Sequence, residues 1–361
     1  MIGIELISDL IIKEGLVDLF KALEGKRKKI NLPELCNTKI IDLKAHSVIG
    51  RYICNYSDLA IELISVEKAI NNYKNRKDIK RPLNVFISAP PGSGKSYLAR
   101  QYYERFKTKW HDIDYTDYNL SSYEKIGALS KIMRYIKNKN TKHIIPIVFI
   151  DEIDTAIQGN YIFSHLLSLM ADGKYDNGVN KYEHMKAILF FAGGSLFDSK
   201  SGRDGLYQNI KRIIPIINKS FQKKIEYSDW RDSQIDYLKD VLGSVPKFSD
   251  FLDRFDIFIV IPPLELNFDN YSLKDELRDL SAALILKHFK DIEHVEKAYL
   301  FVIMHLLYYF KSKRKAESAV FLTNNPKKKI IKFSDFPETI IRKYNKYSKP
   351  FGNETIKIIK N

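Results

Sequence analysis

Cysteine is nearly missing from this chain. Cys36 and Cys54 are the only two in 361 residues, too few for a disulfide framework and in keeping with a reducing compartment. Long hydrophobic runs are missing too: the longest, Ala298 to Phe310, spans 13 residues and contains His305, whereas a membrane-crossing helix needs about 20. The N-terminal stretch MIGIELISDLIIKEG carries Glu5 and Asp9 within its apolar part and lacks the basic start and small-residue cleavage site of a secretory signal. The expectation is a cytoplasmic protein with no membrane partner. Zinc-type spacing is absent around Cys36, His46 and Cys54, and no G-x-S-x-G or G-x-G-x-x-G pattern occurs, which removes zinc, serine-hydrolase and dinucleotide readings. Negative charge is in deficit, with 59 Lys or Arg against 44 Asp or Glu and a net charge of +15. An anionic partner is therefore expected.

What is present is an ordinary globular balance, 45% hydrophobic and 12% aromatic, long enough for two or three domains. Residues 1 to 30 show mostly helical apolar spacing and end in the basic cluster Lys26 to Lys29; residues 31 to 55 show no clear period, and Ser57 to Tyr73 reads as a helix followed by a polar linker. From Leu83 the pattern changes to short apolar runs alternating with helical segments: LNVFIS, WHDIDY, IVFID and ILFFAGG. Such alternation predicts a mainly parallel sheet covered on both faces, with ligands bound at the carboxyl ends of its strands. Because Pro146 has no N–H, the IVFID strand is expected to start no earlier than that residue. Lys274 to Phe289 and Val295 to Phe310 read as helices of a further unit. The predicted division is 1–80, an N-terminal helical segment and linker; 81–264, an α/β core with an insertion at about 196–248; and 265–361, a helical unit and basic tail. The tail holds fourteen Lys or Arg against four Asp or Glu between Lys311 and Asn361.

Two motifs carry chemistry. Ala89-Pro90-Pro91-Gly92-Ser93-Gly94-Lys95-Ser96 is a phosphate-binding loop with Ala in place of the first Gly, set between a strand and a helical segment. Gly92 and Gly94 allow the backbone N–H groups to face phosphates, Lys95 reaches the β and γ phosphates, and Ser96 offers a hydroxyl to Mg²⁺. Further along, Ile147-Val148-Phe149-Ile150 runs into Asp151-Glu152-Ile153-Asp154. Asp151 is suited to hold Mg²⁺ through water and Glu152 to orient and deprotonate the water that attacks the γ-phosphate. The expected cofactors are ATP and Mg²⁺, and the expected reaction is hydrolysis of the phosphoanhydride bond.

Together these motifs resemble the AAA+ ATPases over roughly Pro82 to Arg314, with a softer resemblance to a set of bacterial AAA ATPases having a FAGGT-like strand. The resemblance implies a P-loop three-layer α/β core with a C-terminal helical lid. It implies nucleotide contacts from Pro91, Gly92, Ser93, Gly94, Lys95, Ser96 and Tyr97, and a sensor at Ser195, where families usually place Asn or Thr. It implies an arginine finger at Arg254, within Asp250 to Asp256, although the second arginine often found three residues on is replaced by Ile257. It also implies a lid arginine at Arg314, although Lys313-Arg314-Lys315 reads equally as a solvated basic helix start.

Three functional readings follow. The leading one is an ATPase that assembles as a ring-like homo-oligomer and remodels a macromolecular client. The second is a nucleotide-state switch in a bacterial signalling or antiviral defence complex, and the third a nucleic-acid-associated regulatory ATPase whose basic tail docks on phosphates.

Overall fold

The computed structural model describes residues 36, 38–43, 47–54, 56–76, 78–89, 92–122, 128–157, 160–176, 178, 180–193, 227–228, 231–232, 235–236, 247–261, 273–310, 313–324 and 329–359. The helical spacing expected in 1–30 lies outside them.

The core is a five-stranded sheet formed by β1 (Leu83–Ser88), β2 (Ile113–Asn119), β3 (Ile145–Asp151), β4 (Ile188–Ala192) and β5 (Ile257–Val260), in the order β5-β1-β4-β3-β2. Every neighbouring pair is parallel. Alternation along each strand divides the core. Val85 and Ile87, Ile147 and Phe149, and Ile188 and Phe190 pack on one face, whereas Phe86, Val148, Ile150, Leu189 and Phe191 pack on the other, as the period of two requires. The first face is covered by α1 (Ser57–Asn75) through Leu59, Leu63, Val66 and Ile70, and by α2 (Lys95–Phe106) through Leu98, Ala99, Tyr102 and Phe106. The second is covered by α3 (Ala128–Asn140), α4 (Phe163–Asp172) and α5 (Phe248–Leu252). Strands buried on both faces read as continuous apolar runs, which is why they were legible in the sequence. β3 starts at Ile145 rather than Pro146, because the Ile145 N–H donates to the Asp112 carbonyl at 3.0 Å and Pro146 needs no donor of its own at this position.

Helices α6 (Leu273–His288), α7 (Lys297–Phe310), α8 (Lys313–Phe321) and α9 (Glu338–Ser348) build the lid around a separate apolar cluster. The lid also has a four-stranded mixed sheet. It contains β6 (His294–Glu296), β7 (Ile330–Ile331) and β8 (Thr355–Ile359), and its outer strand is Ile40–Asp42, drawn from the N-terminal segment. Ile40–Asp42 runs parallel to β8, with Ile41 opposite Ile358. Cys36, Ile41, Leu43 and Ile53 accordingly lie in the lid core. The described part of the basic C-terminal segment is thus folded structure, with Ile356 and Ile358 buried and Thr355 and Lys357 exposed along β8.

Between residues 196 and 248, Tyr227 is buried and donates to the Val260 carbonyl at 2.7 Å, and Arg231 pairs with Glu62 of α1 at 2.8 Å. Phe248 packs on Phe163 with ring centroids 5.0 Å apart and belongs to the core.

Candidate active site

The site is built from the carboxyl end of β1 outward. Gly92 and Gly94 both have positive φ, 74° and 91°, a region that side chains with a Cβ adopt only under strain. Gly94 is also the N-cap of α2, which has no side-chain cap and no acidic residue in its first turn. The helix therefore presents unspent N–H groups and the positive end of its dipole, the electrostatics an anion requires. Ser93 is buried, and its hydroxyl has no hydrogen-bond partner. A buried hydroxyl without an acceptor costs free energy that a bound phosphate oxygen would recover. Lys95 is buried at 9% exposure, while Ser96 and Gly92 are exposed. Pro91 lies outside the described residues.

Asp151 ends β3, and its neighbourhood decides its charge. Burial pushes its carboxyl up from the usual range, and the Lys95 ammonium opposes the shift. The phosphate-loop lysine thus favours the charged form of the acid that ends β3, although β4 lies between β1 and β3 in the sheet. Glu152 adopts a left-handed backbone, φ 57°, with its N–H donating to Asp151 Oδ1 at 3.0 Å. That turn swings the chain from β3 over the sheet end, where the Ile153 N–H meets the Ala192 carbonyl of β4 at 3.1 Å. Asp154 is buried at 7% exposure. The donor set fits Mg²⁺: a hydroxyl and a carboxylate are hard oxygen ligands, and this cation is commonly held by one or two protein oxygens with the remainder from phosphates and water.

The lid closes onto this loop through one residue that sequence reasoning missed. Lys313, the first residue of α8, donates from Nζ to the Ser93 carbonyl at 3.1 Å. Burial lowers its pKa and the carboxylate of Glu276, on α6, pushes it back up. Arg314 belongs to the same turn, but its side chain is not among those described. Tyr97, one turn into α2, carries the Lys287 ammonium of α6 at 5.4 Å from its ring centroid. A hairpin at Ser47–Ile49 and Tyr52–Ile53 leans on α2, with the Arg51 N–H donating to Gln101 Oε1 at 2.7 Å. No periodicity marked it in the sequence. Gly193 continues β4, and Ser195 lies outside the described residues.

Arg254 sits far from these groups. It follows α5 at the start of β5, and the strand register puts Ile257 opposite Val85 and Val260 opposite Ser88. The Arg254 carbonyl meets the Asn84 side chain, which lies four residues, or about 13 Å at the rise of a strand, before the end of β1. It is held there firmly. Its Nη1 donates to the Asp250 carbonyl, its own carbonyl accepts from Asn84 Nδ2 at 3.0 Å, and Asp256 forms a bidentate pair with Arg81 at 2.6 and 3.0 Å. Arg254 Nε is buried without a hydrogen-bond partner.

A five-stranded parallel sheet whose first strand feeds a glycine loop, a buried lysine and a helix N-terminus defines a P-loop nucleotide-binding protein. Residues 85–199 match the family model described as ATPase family associated with various cellular activities (AAA), so this part of the chain is similar to a family of nucleotide-hydrolysing proteins. No curated protein matches the chain. No helix among the described residues is long and apolar enough to cross a membrane.

Proposed function

We propose that the chain binds ATP with Mg²⁺, hydrolyses it, and couples turnover to homo-oligomer assembly and to remodelling of a macromolecular partner. The observation that carries the reading is the loop itself, with Gly92 and Gly94 at positive φ, an uncapped helix N-terminus, buried Lys95 and a buried Ser93 hydroxyl without a partner. Lys95, Gly94 and Ser93 would bind and orient the triphosphate, Ser96 and Asp151 would hold Mg²⁺, and Glu152 would accept the proton of the attacking water. When bound, the cation neutralises charge on the β- and γ-phosphates.

The distance of Arg254 from its own loop favours oligomerisation. Arg254 is anchored at Asn84, toward the end of β1 opposite the phosphate loop, so its guanidinium would serve the phosphoryl group of a neighbour rather than that of its own protomer. Arginine fingers contribute about 10³ to 10⁵ in rate. Glu152→Gln keeps the shape of the site and should still bind ATP while turnover falls by about 10² or more; wild-type turnover in that variant would remove Glu152 from the chemistry. Arg254→Ala and Lys95→Ala subunits should each be inactive and regain part of the activity when mixed, since each supplies what the other lacks. Mixed oligomers that stay inactive would refute action between subunits.

A further inference from the structure

Behind the phosphate loop lies a buried polar cluster not used in the chemistry above. Glu276 on α6 is 7% exposed, and its carboxyl accepts a hydrogen bond from the Tyr56 hydroxyl. It faces Tyr56, Cys54 and Tyr52 of the N-terminal segment, Lys313 of α8, and Asp279 of its own helix, itself paired with Arg278. Lys313 extends from this cluster to the Ser93 carbonyl.

A trans peptide group is planar, with its C=O and N–H antiparallel. The peptide that offers the Ser93 carbonyl to Lys313 therefore directs the Gly94 N–H the opposite way, away from the lid lysine. A cation bound to that carbonyl also polarises the N–H, strengthening it as a donor. Lys313 thus stands on the side of the peptide opposite to the anion that the N–H would meet.

We propose that Lys313 is a positioning residue that orients the Ser93–Gly94 peptide of the phosphate loop from the lid side, with the Glu276 carboxylate supplying its counter-charge. The inference rests on the nucleotide-site reading and adds to it a specific pattern. A ligand of the γ-phosphate favours ATP over ADP, whereas a residue that orients a loop N–H serves both nucleotides equally. Burial pushes the Glu276 carboxyl up to about 7, with Lys313 opposing the shift. Glu276 is thus charged above that pH and neutral below it, so its support for Lys313 is present at pH 8 and lost toward pH 6.

The test is calorimetric binding of ADP and of a non-hydrolysable ATP analogue to the full chain. Lys313→Met is expected to weaken both by a similar factor, about tenfold, the scale of one charge-assisted hydrogen bond, and Lys313→Arg to restore most of the loss. Glu276→Gln is expected to weaken both several-fold at pH 8 and to flatten the part of the wild-type pH dependence absent from the variant. Because Lys313→Met alone leaves a buried carboxylate without its counter-charge, Lys313→Met/Glu276→Leu is measured beside it; this pair removes both charges and should fold and show the same equal loss. A loss confined to the ATP analogue, or variants that bind both nucleotides as tightly as the wild type, would overturn the proposal alone. A wild-type chain that binds neither nucleotide would overturn the nucleotide reading, and the proposal with it.

Discussion

Asn84 offers a test of how the sheet holds Arg254 for the finger role proposed for it. It is fully buried in β1, and its Nδ2 donates to two carbonyls, Met170 at 3.1 Å and Arg254 at 3.0 Å. Met170 is near the end of α4, where helix carbonyls have no partner of their own; Gly173 and Lys174 serve Leu169 and Ser168 instead. Asn84→Leu keeps the branching and the number of side-chain heavy atoms and removes both donor hydrogens. Each carbonyl left buried and unsatisfied costs about 1–3 kcal/mol. The loss is partly offset because Asn84 Oδ1 already lacks a partner and its removal relieves a penalty of the same kind, leaving a net destabilisation of about 2 kcal/mol. Denaturant unfolding should show a lower midpoint at unchanged slope. With Arg254 no longer anchored through its carbonyl, turnover should fall about tenfold or more, a fraction of what a finger contributes, while nucleotide affinity stays at the wild-type level. Full stability with full turnover would refute the reasoning, and so would a parallel loss of affinity, because the effect would then lie in the phosphate loop at the other end of β1.

Lys95→Ala should severely weaken ATP binding, since it removes the buried cation of the loop; unchanged affinity by calorimetry would contradict the site. Gly173→Ala should destabilise by about 2 kcal/mol or more, combining a left-handed backbone with a clash: φ is 67° and an added Cβ would lie 2.0 Å from the Lys80 carbonyl oxygen. An equally stable variant would show that the α4 turn and the Lys80 strand entry are not tightly packed. His305 on α7 is kept below its ordinary pKa chiefly by burial, with Lys343 adding to the shift, and bonds Tyr344 of α9 at 3.1 Å. Its folded pKa is depressed, so the unfolded chain binds the extra proton, and lid stability should be full above about pH 6.5 and decline as pH falls below it. His305→Gln should show a smaller decline between pH 7.5 and 5.5 in denaturant midpoints, and an identical decline would assign it to other groups.

The core was legible because physics leaves few choices there. A strand such as Val85 to Ile87, buried on both faces, must be apolar throughout, and a loop that turns N–H groups toward phosphate needs glycine where φ is positive. The lid sheet was not legible. Ile40–Asp42 and His294–Glu296 have three residues each, too short for alternation to register, and Ile40–Asp42 pairs with a strand more than three hundred positions away. Lys313 and Arg314 differ by one position, and a helix turns about 100° per residue, so basic composition alone could not say which side chain faces the loop. The separation of Arg254 from its own loop depends on the register of β5 against β1, which no local pattern records.

The pairing of Ile40–Asp42 with Thr355–Ile359 also sets an order in time. During synthesis the strands and helices between Leu83 and Val260 emerge with all their sheet partners, so the α/β core can assemble while the ribosome is still working. The early strand must wait for one made more than three hundred residues later, a contact of very high sequence separation and hence slow to form. A nascent chain therefore passes through a stage with a formed phosphate loop and an unfinished lid. During that stage the apolar surface of Ile41, Leu43 and Ile53 lacks its cover, and removal of β8 should hold the protein there.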